Sequence, residues 1–282
     1  MTAPSSIEWR SPPPLMSIHT AWQSPWLLAA VAEHGEHHYN EGAPVQDAHR
    51  LSLVGRHTVL ALADGVSTAA RSAEGARLAV ATVEAFLAKT LTDEVPSGAT
   101  MHAAMAAAHH AIADLADQKD VSTRTFASTL AVAVLTGNHV AAAGVGDSSI
   151  LAYTEKGVAN RRRLSPFLSI PQSPGLGTYS ISEPTWVDRV ATRAETLPHL
   201  KGLLLTSDGA NNLFTVESAG PGISGFDCEQ LDSIDEVLAE YGPRRFAFFW
   251  AGYLAGTPAN DLDDRTILMA YRPANPPTFR GV

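Results

Sequence analysis

Five aspartates stand where an apolar strand begins or ends: Asp47 before AHRLSLV, Asp64 after VLALA, Asp147 after AAAGVG, Asp208 after LLLTS and Asp263 before RTILMA. Ends of neighbouring strands gather at one rim of a sheet, so these acids could meet in space. Crowded carboxylates repel and raise one another's pKa unless cations lie between them. A hard divalent cation such as Mg²⁺ or Mn²⁺ is the natural counter-charge for oxygen ligands. With Cys228 as the single cysteine, neither a disulfide framework nor a multi-cysteine zinc site can be built. Glycine follows Asp64 and Asp208 and precedes Asp147, which permits sharp turns with exposed backbone groups. Any one Asp-Gly pair is by itself an ordinary turn.

Other reactive residue types read as structural. Ser67, Thr68 and Ser72 sit in no nucleophile elbow and suit helix capping. Cys228 is a solitary small side chain. His102, His109 and His110 are expected on the exposed face of an alanine-rich helix, and Arg161-Arg162-Arg163 at a solvated strand end.

The elements that must position the acids follow from hydropathy period and turn residues. WLLAAVAEH, AHRLSLV and TVLALAD read as strands, followed by a helix over 72–91 with Ala76, Val80, Val83 and Leu87 on one face. A second helix over 99–119 carries Met101, Met105, Ala108, Ile112 and Leu115 on its stripe. A hairpin turning at Gly137-Asn138 comes next, then a strand that turns at Lys156-Gly157. Residues 164–184 read as a long surface loop, KGLLLTSDG as a buried strand, 229–240 and 243–255 as helices, with FAFFW in the core, and RTILMAYR as the last strand. Strands, two helices, many strands, two helices and a strand do not make a parallel doubly wound fold. The order predicts antiparallel sheets covered by helix pairs.

The expected domain runs over 27–272, with a Pro-rich N-terminal arm at 1–26 and a Pro-rich tail at 273–282. The 282 residues carry 20 Lys and Arg against 29 Asp and Glu, a formal charge of −9, which argues against broad nucleic-acid binding. No apolar run reaches the ~18–20 residues of a membrane helix. The start MTAPSSIEWRSPPPL lacks the order of a signal peptide, so a cytoplasmic location is expected.

Six segments in order carry a resemblance: QDAH (46–49), ALADGVSTAARSAEGARLAV (61–80), STLAVAVL (128–135), GVGDSSILAY (144–153), LLLTSDG (203–209) and DDRTI (263–267). Together they resemble the metal-dependent protein phosphatases of type 2C, over about residues 30–271. The QD of the first motif is similar to a bacterial subgroup. The resemblance implies an α+β fold, a four-layer α-β-β-α sandwich of two antiparallel sheets flanked by helix pairs. It implies a serine/threonine phosphatase with two Mg²⁺ or Mn²⁺ ions and a third held less tightly. Asp64 would bridge two ions and the Gly65 carbonyl would bind one. Asp208 and Asp263 would hold the other, Asp47 would contact metal-bound waters, and Asp147 would serve the third. A metal-bridging hydroxide would attack phosphorus, and the substrate would be a phosphoprotein of a serine/threonine kinase system.

Three departures from that pattern bear on activity. Gln46 stands where the family usually has Glu, Gly42 where it often has a phosphate-clamping Arg, and Asn212 where a further acid is usual. His38, with His37 beside it, is the substitute clamp, and a His at that spacing is common in the bacterial subgroup. Asp264 stands where the family often has Asn and is expected to face away from the ions, while Asp261 reads as a loop acid. These departures motivate the alternative of a weak or inactive pseudophosphatase that binds partners through the same fold. Substrate identity and oligomeric state are not encoded in these motifs.

Overall fold

The computed structural model describes residues 16–156, 161–173, 177–211, 213–217, 224–226, 231, 233–257 and 263–274. One sheet has six antiparallel strands in the order β1 (Met16–Gln23), β2 (Trp26–Glu33), β13 (Arg265–Tyr271), β10 (Leu200–Thr206), β7 (Ser149–Lys156) and β8 (Arg161–Leu168). The other has five, in the order β3 (Ala48–Val54), β4 (His57–Ala63), β5 (Leu130–Thr136), β6 (His139–Val145) and β9 (Ala191–Thr196). Strands β11 (Thr215–Glu217) and β12 (Ser224–Phe226) form a separate pair.

Alternation along each strand sends side chains to two cores. On β4, Leu60 and Leu62 enter the core between the sheets, while Val59, Ala61 and Ala63 face the helices. Those helices are α2 (Ser72–Thr90) and α3 (Gly98–Gln118), which bury Ala76, Val80, Val83 and Leu87 against Met101, Met105 and Ile112. On the opposite side α5 (Ile234–Tyr241) and α6 (Phe246–Gly256) cover the six-stranded sheet, with Phe246, Trp250 and Leu254 packed on Leu27, Val31, Leu204 and Ile267. Both faces of both sheets are therefore covered, which explains why the central strands read as continuous apolar runs. The four-layer α-β-β-α sandwich is the architecture the sequence predicts.

Four expectations change. Residues 16–23, expected in the N-terminal arm, form β1 along the whole length of β2, from Met16 opposite Glu33 to Gln23 opposite Trp26. As an edge strand β1 buries only part of its surface, so its hydropathy signal is weak. The segment expected to be a loop from 164 begins as strand β8, which runs to Leu168 with Pro166 opposite Leu151. Proline is tolerated there because β8 is the outer strand of its sheet. His109, expected on an exposed helix face, is half-buried, with Nδ1 2.8 Å from the Ile181 carbonyl and its ring beside Trp186. In the last helix Phe246 and Trp250 are core as expected, but Phe248 is exposed under the Arg245 guanidinium. The Gly157 turn, Asn212, Cys228, Asp261 and most of the C-terminal tail lie outside the described residues. Among the described residues, no helix is long and apolar enough to cross a membrane.

Candidate metal centre

Register places the acids at one rim. Ala48 pairs with Ala63, so Asp47 enters the five-stranded sheet where Asp64 leaves it. Leu130 pairs with Val145, which brings Asp147 to that same edge by way of Gly146. In the facing sheet Thr206 pairs with Ile267, so Asp208 follows β10 where Asp263 precedes β13. The sandwich then joins the two sets. One carboxylate oxygen each from Asp64, Asp147 and Asp208 lie within 4.8 Å of one another, although they come from different sheets. Asp263 offers an oxygen to a neighbouring group with His38 and Asp264, also within 4.8 Å.

Local bonds fix the acids. The Asp64 amide donates to Thr129 Oγ1 at 2.9 Å, and the Thr129 amide donates to the Asp64 carbonyl at 2.8 Å. Gly65, buried, makes a single antiparallel bridge to Ser128. Asp208 opens the one-turn helix α4 (Asp208–Asn211), and the Gly209 amide donates to Asp208 Oδ1 at 2.6 Å. Thr178 Oγ1 donates to Asp147 Oδ2 at 2.6 Å. The Asn211 amide group donates to the Asp147 carbonyl at 3.2 Å. Asn211 was not singled out in the sequence, because only the fold brings it under Asp147.

The electrostatics are those of a site built for cations. Burial, then repulsion from Asp47 and Asp208, pushes the Asp64 carboxyl well above its ordinary value. Burial raises Asp47 from 3.8 to about 8, and the charges of Asp264 and Asp208 add to the rise. Neither Asp47 oxygen has a partner at full hydrogen-bond geometry, although the Thr266 and Ser207 hydroxyls lie close enough to offset part of that shift. Asp147 and Asp263 are also raised, first by burial and then in part by the charge of Asp208. Asp147 Oδ1 is likewise buried and unpartnered. Orphaned carboxylate oxygens that crowd at a rim fit hard divalent ions, which would supply the missing partners and the missing charge.

Helix α1 (Glu36–Glu41) ends at Gly42, which has φ +67° and no side chain to clamp a phosphate. His38 sits on that helix, yet it is only 4% exposed. Its Nδ1 lies 3.2 Å from Asp264 Oδ2 and 3.6 Å from Asp263 Oδ1. A phosphate clamp must face solvent at the rim; His38 is buried instead, with Nδ1 near these carboxylates but without a partner at full hydrogen-bond geometry. His37 is the exposed member of the pair.

The sequence profile of the protein phosphatase 2C family matches residues 34–239 of this chain. The chain belongs to the protein phosphatase 2C family. It is thus a phosphoprotein phosphatase by family, and its cluster of acids fits the metal binding of that family. Among solved structures it is similar to the serine-threonine phosphatase 2C of Toxoplasma gondii, at 13% identity and a TM-score of 0.61, over 92% of this chain and 99% of that one. A serine/threonine phosphatase of Staphylococcus aureus is 14% identical with a TM-score of 0.57, over 94% and 99%. A bacterial serine phosphatase is 12% identical with a TM-score of 0.54, over 88% and 98%. Identities this low show the fold. No curated protein sequence matches the chain.

The raised Asp47 gives this phosphatase fold a testable pH signature. A carboxyl whose folded pKa lies above its unfolded value takes up a proton on folding. The stability it contributes is present at low pH and is lost as pH rises from 3.8 through about 8. The melting temperature of EDTA-treated protein is therefore expected to fall between about pH 5 and 8. Saturating Mn²⁺ is expected to raise it more at the upper end of that range, where the ion no longer competes with protons. A metal-free melting temperature that climbs across the window would contradict the buried, unpaired state of these acids.

Proposed function

We propose that this phosphatase 2C is an active Mg²⁺- or Mn²⁺-dependent serine/threonine protein phosphatase that acts on phosphoproteins. The observation that carries the reading is the meeting of Asp64, Asp147 and Asp208 oxygens within 4.8 Å, from two different sheets. In this reading Asp64, the Gly65 carbonyl, Asp208 and Asp263 hold two divalent ions. Asp47 holds their water shell, and Asp147 serves a third, weaker ion. Bound ions would supply an activated water for in-line attack and neutralise charge on the phosphoryl oxygens.

The chain's own residues prepare that chemistry. The Gly209 amide fixes one Asp208 oxygen, Thr129 fixes the backbone of Asp64, and Thr178 holds Asp147. Rigid ligands keep their geometry as charge develops, so less reorganisation is needed in the transition state. The acids alone would repel a phosphate, so substrate binding depends on the ions. We place His38 in the site through its contact with Asp264 rather than as a phosphate clamp. A kinase that phosphorylates serine or threonine is the matching partner activity, the expected location is cytoplasmic, and neither nucleic acid nor membrane is a proposed partner.

The pseudophosphatase reading has one observation in its favour: the clamp position is Gly42, and the substitute His38 is buried. One experiment separates the two. Purified protein is assayed on p-nitrophenyl phosphate and a phosphothreonine peptide with Mn²⁺, with Mg²⁺ and with EDTA. The active reading expects phosphate release with metal, loss with EDTA and recovery on adding Mn²⁺. Binding of Mn²⁺ in a calorimeter without any release would favour the pseudophosphatase instead.

A further inference from the structure

Asp264 lies next to the ligand candidate Asp263, but its carboxylate is enclosed, with the side chain 1% exposed. Oδ1 accepts from the Gly35 amide at 2.7 Å and Oδ2 from the Gln46 amide at 2.6 Å. Gly35 is the residue from which α1 starts, and Gln46 immediately precedes Asp47. His38 Nδ1 approaches the same Oδ2 at 3.2 Å. The Asp264 amide in turn donates to Asp263 Oδ1 at 2.8 Å, which orients that carboxylate. The packing is equally tight: a Cβ at Gly35 would stand 2.3 Å from the Asp263 carbonyl carbon, and one at Gly209 would stand 2.3 Å from the Asp264 carbonyl oxygen. One residue thus touches the segments that carry Asp47, Asp208, Asp263 and His38.

We propose that Asp264 is the positioning residue of the metal centre, whose two oxygens hold the Gly35 and Gln46 segments so that Asp47 and Asp263 face the ions. The proposal rests on the reading of the acidic rim as a two-metal site. A buried carboxylate among other acids is costly unless its lone pairs are taken by donors, and two backbone amides supply them. The carboxylate is needed, not merely its shape. An asparagine keeps one acceptor and turns an N–H₂ group toward the second amide, which leaves two donors facing each other. A glutamate keeps the charge but is one methylene too long for the enclosed space.

Asp264→Asn and Asp264→Glu are compared with the wild-type protein. Mn²⁺ affinity is measured by titration calorimetry, and backbone amide exchange by NMR. Both variants are expected to bind Mn²⁺ about 10–100-fold more weakly, the usual effect of losing a group that orients a ligand. In Asp264→Asn the Gly35 and Gln46 amides are expected to exchange at least about tenfold faster, while amides in the sheet centres are unchanged. Affinities within about twofold of wild type in both variants would overturn the proposal. So would a full affinity in Asp264→Glu alone, which would reduce the effect to charge. Nitrogen coupling in the pulsed EPR spectrum of Mn²⁺-loaded protein, lost in His38→Asn, would make the His38–Asp263–Asp264 group a ligand set and also overturn it. The exchange measurement needs no metal. If wild-type protein binds no Mn²⁺, the phosphatase reading fails while Asp264 is still tested. Unprotected Gly35 and Gln46 amides in the wild-type protein would overturn the positioning role without any variant.

Discussion

Asp208→Asn is expected to lower metal-dependent turnover of p-nitrophenyl phosphate by about a thousandfold or more, without unfolding the protein. The charge of Asp208 raises four of the acids around it, Asp47, Asp64, Asp147 and Asp263. Its carboxylate also offers an oxygen within 4.8 Å of those of Asp64 and Asp147, where an ion would gain from its charge. An ion that stabilises phosphoryl charge contributes several kcal/mol, and a loss of about 4 kcal/mol is about three powers of ten in rate. The Gly209 amide still finds an acceptor in the asparagine oxygen, so the turn after β10 keeps its bond. Removal of one like charge from a crowd of acids leaves the metal-free fold at least as stable. The two readouts are kcat at saturating Mn²⁺ and the melting temperature in EDTA. A variant that keeps more than about a tenth of wild-type kcat, a deficit under 1.4 kcal/mol, would remove Asp208 from the ligand set.

Glu33→Gln is expected to cost about 3–5 kcal/mol of stability, because it strands a buried guanidinium. Glu33 ends β2 and Arg265 begins β13, and both are 5% exposed. Arg265 Nε donates to Glu33 Oε2 at 2.6 Å, and a terminal guanidinium nitrogen pairs with the same oxygen. The remaining donors reach the Thr257 carbonyl at 2.8 Å and the Leu254 carbonyl at 2.9 Å, at the C-terminal end of α6. The pair thus ties two adjacent strands of the six-stranded sheet to the helix that covers them. At about 2–4 °C per kcal/mol for a chain of this size, the melting temperature should drop by roughly 6–20 °C. Thermal unfolding followed by circular dichroism reads this directly. A drop smaller than about 2 °C, under 1 kcal/mol, would mean that the guanidinium finds other compensation. Since Arg265 follows Asp264 directly, Mn²⁺ affinity is expected to weaken in the same variant.

The central strands and both long helices were legible because their burial is complete and periodic. Val80, Val83 and Leu87 mark one face of α2, and Leu60 with Leu62 mark one face of β4. The edges were less legible. Strand β1 is half-exposed, β9 is mostly exposed, and β8 carries Pro166, so none shows the pattern of a buried strand. Edge strands owe their place to pairing on one side, which a single sequence does not display.

At the metal centre the candidate ligands could be named from their place at strand ends, and a carboxylate cluster without thiols could only suit hard cations. What the sequence could not contain was the role of His38 and Asp264. As residues 226 positions apart in the chain, they read separately as a rim histidine and a bystander acid. Their pairing, and the Gly35 and Gln46 amides on the same carboxylate, arise only when β13 lies beside β2 and the two sheets face each other. The ordered motifs carried the resemblance to the family, while the layers and the oxygen character of the ligands followed from local period and residue chemistry. The separation of the acids, and which charge is raised by which neighbour, were decided by packing, because Coulomb terms depend on distance and burial.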